Sequence, residues 1–233
     1  MDRDASDYIL RVGGSNVTES KSVCLLGVTI TRNLVWNDQT NNVLASLRST
    51  NGLIRRMTAH VPNKCLTPLI HGLIMSKIRY ALPVFCEVRT TPGDAVSQPM
   101  KDLQVQLNTA VRCVQGVKLK DRFPIPELLQ TVGVPSVNQL AIQTTLMEVW
   151  RHLNLGLPAS CSFVLRDEKS GERVTRKSEK NFLALPQHGG GGAGNFVRNG
   201  TKLWNMAPQE LRDEKDFKCA KRIIKDFAES MPI

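Results

Sequence analysis

Apolar and small residues recur at alternating steps of four and three between Val43 and Val61, and this spacing constrains the fold more than any other feature of the chain. The six positions are Val43, Leu47, Thr50, Ile54, Met57 and Val61. Because an α-helix turns once in about 3.6 residues, such steps keep the side chains on one face. The spacing therefore predicts a long amphipathic helix that packs against other elements.

Similar patterns predict a second helix from about Lys64 to Ala81 and a third over roughly Met100–Val117. We expect Pro83 to end the second helix, because proline lacks the amide hydrogen that a helix interior requires. We expect Gly116 to cap the third, because glycine readily adopts a left-handed conformation. The side chains expected to face inward from the second helix are Leu66, Leu69, Ile70, Leu73 and Tyr80.

The rest of the chain predicts four more helices. Two are expected over Pro126–Val132 and Val137–Leu155, and two in the tail, marked by Trp204 and Ile224. The buried stripe expected on the Val137–Leu155 helix consists of Leu140, Thr144, Met147, Trp150 and Leu153.

The residues before the long helix predict β-structure. Tyr8–Val12 and Val23–Ile30 are rich in β-branched and aliphatic residues, and Gly13–Asn16 between them is typical of a turn. We expect the two strands to pair antiparallel and to pack on other elements, because two strands alone are marginally stable in water. The predicted fold is mainly α, with a small N-terminal antiparallel β unit.

These elements predict five segments along the chain. They are a β unit over 1–36, a three-helix bundle over 37–118, connecting helices over 119–160, a charged and glycine-rich linker over 161–195, and a helical region over 196–233.

The chain is strongly basic, with 31 Lys and Arg against 21 Asp and Glu and a net charge of +10. Residues 1–120 carry 15 of the basic and 8 of the acidic residues, so most of the surplus lies in the first half. Such a surplus favours a polyanionic partner, either nucleic acid or an anionic membrane surface. A basic protein without any such partner is the alternative.

Five basic side chains of the first two predicted helices are candidates for contact with phosphates. They are Arg48, Arg55, Arg56, Lys64 and Arg79. A duplex can be bound without sequence preference by positive charges at helical spacing. The alternative is an ordinary solvated helix face.

Several classes of protein are not indicated. The six cysteines are far apart and form no zinc-finger spacing with the histidines, so we expect a reducing, intracellular location in the cytoplasm or nucleus. The polar start of the chain predicts no signal peptide. The longest apolar region, Leu66–Phe85, is interrupted by His71, Lys77 and Arg79, so no membrane span is expected.

Four segments, in order, resemble the jockey-like non-LTR (LINE-type) retrotransposon reverse transcriptases. Leu25–Ile30 with Leu34–Trp36 resembles their primer-grip strand and the start of the thumb. Ile78–Phe85 resembles a Tyr-Gly-x-Pro-Val-Trp stretch, with alanine and phenylalanine replacing the glycine and tryptophan. The other two segments are Leu103-Gln104 with Asn108 and Arg112, and the Gly-x-x-Leu-Trp-Asn pattern that begins at Gly200 and continues to Arg212.

The resemblance implies the C-terminal part of such an enzyme without its catalytic centre. The family holds its catalytic metal ions on palm aspartates, two of them in a Tyr-x-Asp-Asp turn, and this sequence contains no Asp-Asp dipeptide. We therefore expect the chain to begin downstream of that turn, to contain no catalytic or metal-binding residues, and to be inactive alone. A complete polymerase of the family would need Mg²⁺.

The resemblance also implies a thumb-like bundle that contacts an RNA/DNA duplex or RNA, with Leu26 and Gly27 near the primer end. A separate palm-containing polypeptide would be a second partner. The duplex-contacting role of Arg48, Arg55 and Arg56 is inferred from helical phase. The alternative is a helical protein-interaction module without a nucleic-acid role, whose partner binds near Leu25, Leu26 and Ile30.

Overall fold

The computed structural model describes residues 10–17, 20–157, 163–165, 181–186 and 196–232. Most of these residues are helical, and the β-strands lie at the beginning of the described chain. The prediction of a mainly α fold with a small N-terminal antiparallel β unit is confirmed. Among the described residues, no helix is both long and apolar enough to cross a membrane.

Two antiparallel hairpins form the β unit. Their strands are β1 (Leu10–Val12), β2 (Ser15–Val17), β3 (Ser22–Leu25) and β4 (Val28–Thr31). β1 pairs with β2 and β3 pairs with β4, so the prediction that Val23–Ile30 is one strand paired with Tyr8–Val12 is wrong. The physical reason is that Leu26 and Gly27 have φ values of 50° and 76°, which reverse the chain in a two-residue turn.

Ten α-helices lie within the described residues, and a π-helical turn, Ile70–Met75, connects the second to the third. The helices are α1 (Asn37–Met57), α2 (Asn63–Leu69), α3 (Ser76–Arg79), α4 (Leu82–Phe85), α5 (Gln98–Gln115), α6 (Ile125–Val132), α7 (Val137–Leu155), α8 (Phe196–Met206), α9 (Gln209–Asp213) and α10 (Phe217–Glu229).

The predicted apolar face of α1 is confirmed. Leu47 and Ile54 are fully buried and Val43 is half-buried, while the opposite face is exposed. α1 packs mainly on α5, and the buried Asn51 fixes this pairing because its Nδ2 donates a 3.0 Å hydrogen bond to the Gln106 carbonyl oxygen. Gly116 ends α5 with a φ of 68°, as predicted.

The second predicted helix is present but is interrupted. Pro68 lies inside α2, and the next turn widens into the π-helical segment before α3 begins. The prediction that Pro83 ends this helix is wrong, because the chain turns at Ala81, whose φ is 56°. Pro83 instead lies in the first turn of α4. Amide groups in the first turn of a helix have no partner within that helix, so the missing amide hydrogen of proline costs no hydrogen bond there.

Two hydrophobic clusters share α7. The first is built from α1 to α6 together with the start of α7, including Val137 and Leu140. The second is built from the rest of α7, including Leu146 and Trp150, together with α8 to α10. The buried stripe predicted for α7 therefore covers too little of the helix surface, since the first half of the helix is buried on almost every side.

The Gly-x-x-Leu-Trp-Asn pattern joins α8 to its neighbours. A Cβ atom on Gly200 would lie 2.7 Å from Val149 Cγ2, so only glycine lets α8 approach α7 this closely. Trp204 Nε1 donates to the Asn181 carbonyl oxygen at 2.9 Å. The Asn205 side chain pairs with both the amide and the carbonyl of Leu183, a fully buried residue. In this structure the pattern has a packing role.

Candidate nucleic-acid interface

Beyond the first turn of α1, the segment that forms α1 to α4 carries positive charge without any acidic residue. Between Asp38 and Glu87 the sequence has neither Asp nor Glu, but it has six Lys or Arg. These six are Arg48, Arg55, Arg56, Lys64, Lys77 and Arg79. Because opposite charges are absent along this segment, its positive potential is not cancelled locally.

The α1 arginines are exposed, as predicted. Arg48 and Arg55 are two turns apart and share one side of the helix, and Arg56 is turned from them by roughly a quarter of a circle. Gly52 separates Arg48 from Arg55 on the exposed face, and Ala45 lies one turn before Arg48. Within the described part of the chain, none of the three guanidinium groups has an ion-pair partner. We call Arg48, Arg55 and Arg56 the arginine face.

Arg55 lies on the side of α1 that approaches α5. Burial raises the pKa of the Cys113 thiol on α5, and the nearby positive charge of Arg55 offsets part of that rise. Arg112, from the third family-like segment, donates to the carbonyl oxygens of Lys118 and Phe123. Its guanidinium thus stabilises the chain that follows α5.

The other predicted site residues lie on different elements. Lys64 is exposed in the first turn of α2, and Arg79 is exposed at the end of α3, where partial burial lowers the pKa of its guanidinium. Leu26 and Gly27 form the β3–β4 turn, and the Leu26 side chain is 83% exposed. The structure therefore divides the predicted residues between a helix face and a hairpin turn.

A pocket of about 390 Å³ lies where this turn meets α1 and α3. Its lining residues are Gly27, Gln39, Asn42, Val43, Ser46, Ser76, Lys77 and Tyr80. We call it the turn pocket. Of the predicted site residues, only Gly27 lines it, and the arginine face does not contribute to it.

Polar contacts tie the hairpin and the helices together around the turn pocket. The Thr29 amide donates to Gln39 Oε1 at 2.8 Å, and Asn42 Nδ2 donates to Thr29 Oγ1 at 3.0 Å. Lys77 Nζ donates to Thr50 Oγ1 at 2.6 Å. The Tyr80 hydroxyl donates to the Leu26 carbonyl oxygen. These bonds hold the lining side chains in fixed positions.

Sequence reasoning missed Lys77 and placed Tyr80 wrongly. Tyr80 was expected to face inward, but 53% of it is exposed, because the short α3 ends at this point and the ring turns toward the hairpin. Lys77 donates a hydrogen bond to Thr50, which is distant in sequence, so no local sequence pattern indicates this contact. The one signal in the sequence is the absence of acidic residues around it.

The β3–β4 hairpin turns its polar side toward α1. Thr29 makes the contacts to that helix, whereas the cross-strand pairs Val23–Ile30 and Leu25–Val28 occupy the other side. Val23 and Leu25 are more than half exposed, and Ile30 is half-buried. None of these four aliphatic residues belongs to either hydrophobic cluster among the described residues.

A magnesium site is not found in the part of the chain that the structure describes. No group of three or more His, Cys, Asp or Glu side chains there could hold a metal ion. No step that depends on Mg²⁺ is therefore assigned to these residues.

Comparison with protein-family models, with curated proteins and with solved structures finds no match to this chain.

Proposed function

We propose that this protein is a fragment of a retrotransposon reverse transcriptase, an RNA-directed DNA polymerase, that binds template–primer nucleic acid but cannot polymerise alone. The family assignment is supported by the four segments in family order. Nucleic-acid binding is supported by one observation above all: the three guanidinium groups of the arginine face are exposed and have no ion-pair partner among the described residues.

The proposed partners follow from this role. An RNA/DNA duplex or RNA would lie along α1 through its phosphates, because cations without bound carboxylates can replace counterions at little cost. A separate palm-containing polypeptide would supply the aspartates and the Mg²⁺ that DNA synthesis requires. Both partners place the protein inside the cell, in the cytoplasm or the nucleus.

The binding role is tested by replacing all three arginines with alanine. We expect the variant to bind an RNA/DNA duplex more weakly in fluorescence anisotropy. We also expect the magnitude of the negative slope of log K against log salt to fall by up to about 2.7, since each neutralised phosphate contributes about 0.9. Circular dichroism should show an unchanged fold, because the three side chains lie outside the hydrophobic clusters.

A matched control removes the same charge elsewhere. Lys218, Lys221 and Arg222 are exposed on α10, so their replacement by alanine also lowers the net charge by three. The proposal requires this control to retain most of the affinity. Equal loss in both variants would show that net charge alone matters and would overturn the assignment to α1.

The incomplete-enzyme part of the proposal has its own assay. The purified chain should give no primer extension with Mg²⁺, an RNA template, a DNA primer and deoxynucleotides. An extended primer would refute this part while leaving the binding role intact.

A second candidate function is protein binding through the hairpin, favoured by the exposed aliphatic side chains of Val23, Leu25 and Leu26. The variant Leu25→Thr/Leu26→Asn removes two of them while keeping residues that suit a strand and a left-handed turn. A complex that survives nuclease treatment and dissociates in this variant would favour the second candidate. A complex that nuclease destroys would favour the first.

A further inference from the structure

The turn pocket has a lining suited to an anion. Lys77 is its one cation, and its polar neighbours Gln39, Asn42, Ser46 and Ser76 carry amides or hydroxyls. No carboxylate lines it, and the acidic residue nearest in sequence, Asp38, is exposed on the first turn of α1. Its volume of about 390 Å³ lies in the range of small-molecule sites, about 300 to 1,000 Å³.

One hydrogen-bond donor of the pocket lining is left without a partner among the described residues. Gln39 is only 2% exposed, and its Oε1 accepts the Thr29 amide, which fixes the orientation of the carboxamide. Its Nε2 group has no acceptor among the described residues. Because Gln39 lines the pocket, this amide group is available to donate to an oxygen atom bound there.

Hydrogen bonds also position the Lys77 ammonium group to donate to a bound anion. Its Nζ donates to Thr50 Oγ1 at 2.6 Å and to the Ser46 carbonyl oxygen at 3.4 Å. Two of its three hydrogens are thereby used and the third is available. Both acceptors are uncharged, so a bound phosphoryl oxygen would gain a charge-assisted hydrogen bond from this ammonium group.

An aromatic ring stands beside these donors. The Tyr80 hydroxyl bonds to the Leu26 carbonyl oxygen, and the ring lies close to Gly27, where a Cβ atom would be 3.9 Å from its Cε1. The ring is therefore restrained and yet half exposed. Restrained aromatic rings are the usual surfaces on which nucleobases stack.

We propose that the turn pocket binds the phosphoryl group of a nucleotide, with Lys77 and Gln39 donating to its oxygens and Tyr80 covering the attached nucleoside. The phosphoryl group belongs either to a free nucleotide or to the 5′ end of a strand. This site uses different residues from the arginine face and goes beyond duplex binding.

Calorimetry with two pairs of probes tests the proposal. One pair is adenosine 5′-monophosphate and adenosine, and the other is a short single strand with and without a 5′ phosphate. We expect the phosphorylated member of at least one pair to bind at least about tenfold more tightly, the smallest effect expected of one charge-assisted hydrogen bond. The pair that shows the difference identifies the source of the phosphoryl group.

Gln39→Glu is the decisive variant, because a carboxylate still accepts the Thr29 amide but replaces the free donor with a negative oxygen. It should lose at least about tenfold in affinity for the phosphorylated probe. Lys77→Gln should lose a similar factor. Lys101→Gln, which removes an exposed lysine of α5 outside the pocket, should lose almost nothing.

The arginine-face variant separates the two proposals. It should retain binding of the phosphorylated probe even if duplex binding is lost, and Gln39→Glu should retain most duplex binding. Equal binding of phosphorylated and unphosphorylated probes, or unchanged binding by Gln39→Glu, would overturn the proposed phosphoryl site.

Discussion

Trp204 Nε1 donates a 2.9 Å hydrogen bond to the carbonyl oxygen of Asn181. This bond fastens the described segment 181–186 to α8, beside the pairing of Asn205 with Leu183. Trp204 is also almost fully buried in the second cluster, so it contributes both packing and a hydrogen bond.

Trp204→Phe should lower the free energy of unfolding by about 2 to 4 kcal/mol, because it leaves a small cavity and a carbonyl without its donor. Chemical denaturation monitored by circular dichroism measures the change. Trp36→Phe is a suitable comparison, since Trp36 is only partly buried, and its effect should be smaller. Equal effects would show that the Asn181 bond contributes little.

Gly200→Ala should destabilise the protein by about 1 to 3 kcal/mol, the usual range for overpacking. The added Cβ would lie 2.7 Å from Val149 Cγ2 and 3.1 Å from the Phe163 ring, so one of these side chains must move. Thermal unfolding measures the loss.

Gly52→Ala is the matched control for that substitution. Gly52 lies in α1, is exposed and has nothing within 4 Å of an added Cβ. Alanine there should stabilise the protein by about 0.5 to 1 kcal/mol, because it reduces backbone freedom in the unfolded chain. Destabilisation of similar size at both positions would contradict the close approach of α8 and α7.

Asp94 should contribute to acid sensitivity. Hydrogen bonds from the backbone amides of Thr91 and Thr90 lower the pKa of its carboxyl group to about 2. Because this pKa lies below that of the unfolded chain, about 3.9, the stabilisation is present above pH 4 and is lost as the pH falls toward 2. Asp94→Asn should be less stable than the parent above pH 4, and thermal midpoints should converge near pH 2. A constant difference at all pH values would rule out this linkage.

Leu26→Asn should stabilise the β3–β4 hairpin by up to about 1 kcal/mol, because a non-glycine, non-asparagine residue in the left-handed conformation costs about 1 to 2 kcal/mol. The turn has positive φ at both central positions, and Asn-Gly is the preferred pair for such a turn. Slower amide exchange at Val28 and Ile30 would show the effect. Faster exchange would mean that the Leu26 side chain itself holds the hairpin.

Local sequence patterns were enough to predict the elements that have a strong hydrophobic periodicity or a clear end signal. The α1 face and the Gly116 cap could be predicted because each depends on residues within a few turns of one another. The β3–β4 hairpin could not, since Val23–Ile30 is continuously apolar or β-branched apart from Cys24 and Gly27, and nothing marks Leu26 as a turn residue.

The candidate site was predicted only in part for a related reason. Exposure of the α1 arginines follows directly from helical phase. The turn pocket depends on Gln39 meeting Thr29 and on Lys77 meeting Thr50, and such contacts between separate elements leave no periodic signal. The same holds for Gly200, whose role is visible only once Val149 lies beside it.

The sharing of α7 between the two clusters has a consequence for cooperativity. Leu140 anchors one cluster and Leu146 the other, less than two turns further along the same helix. If either cluster melted, about half of α7 would lose the packing that keeps a helix of this length formed in water. Loss of packing in the second cluster should therefore destabilise the first cluster through the shared α7. The two halves of the protein should unfold together in one transition.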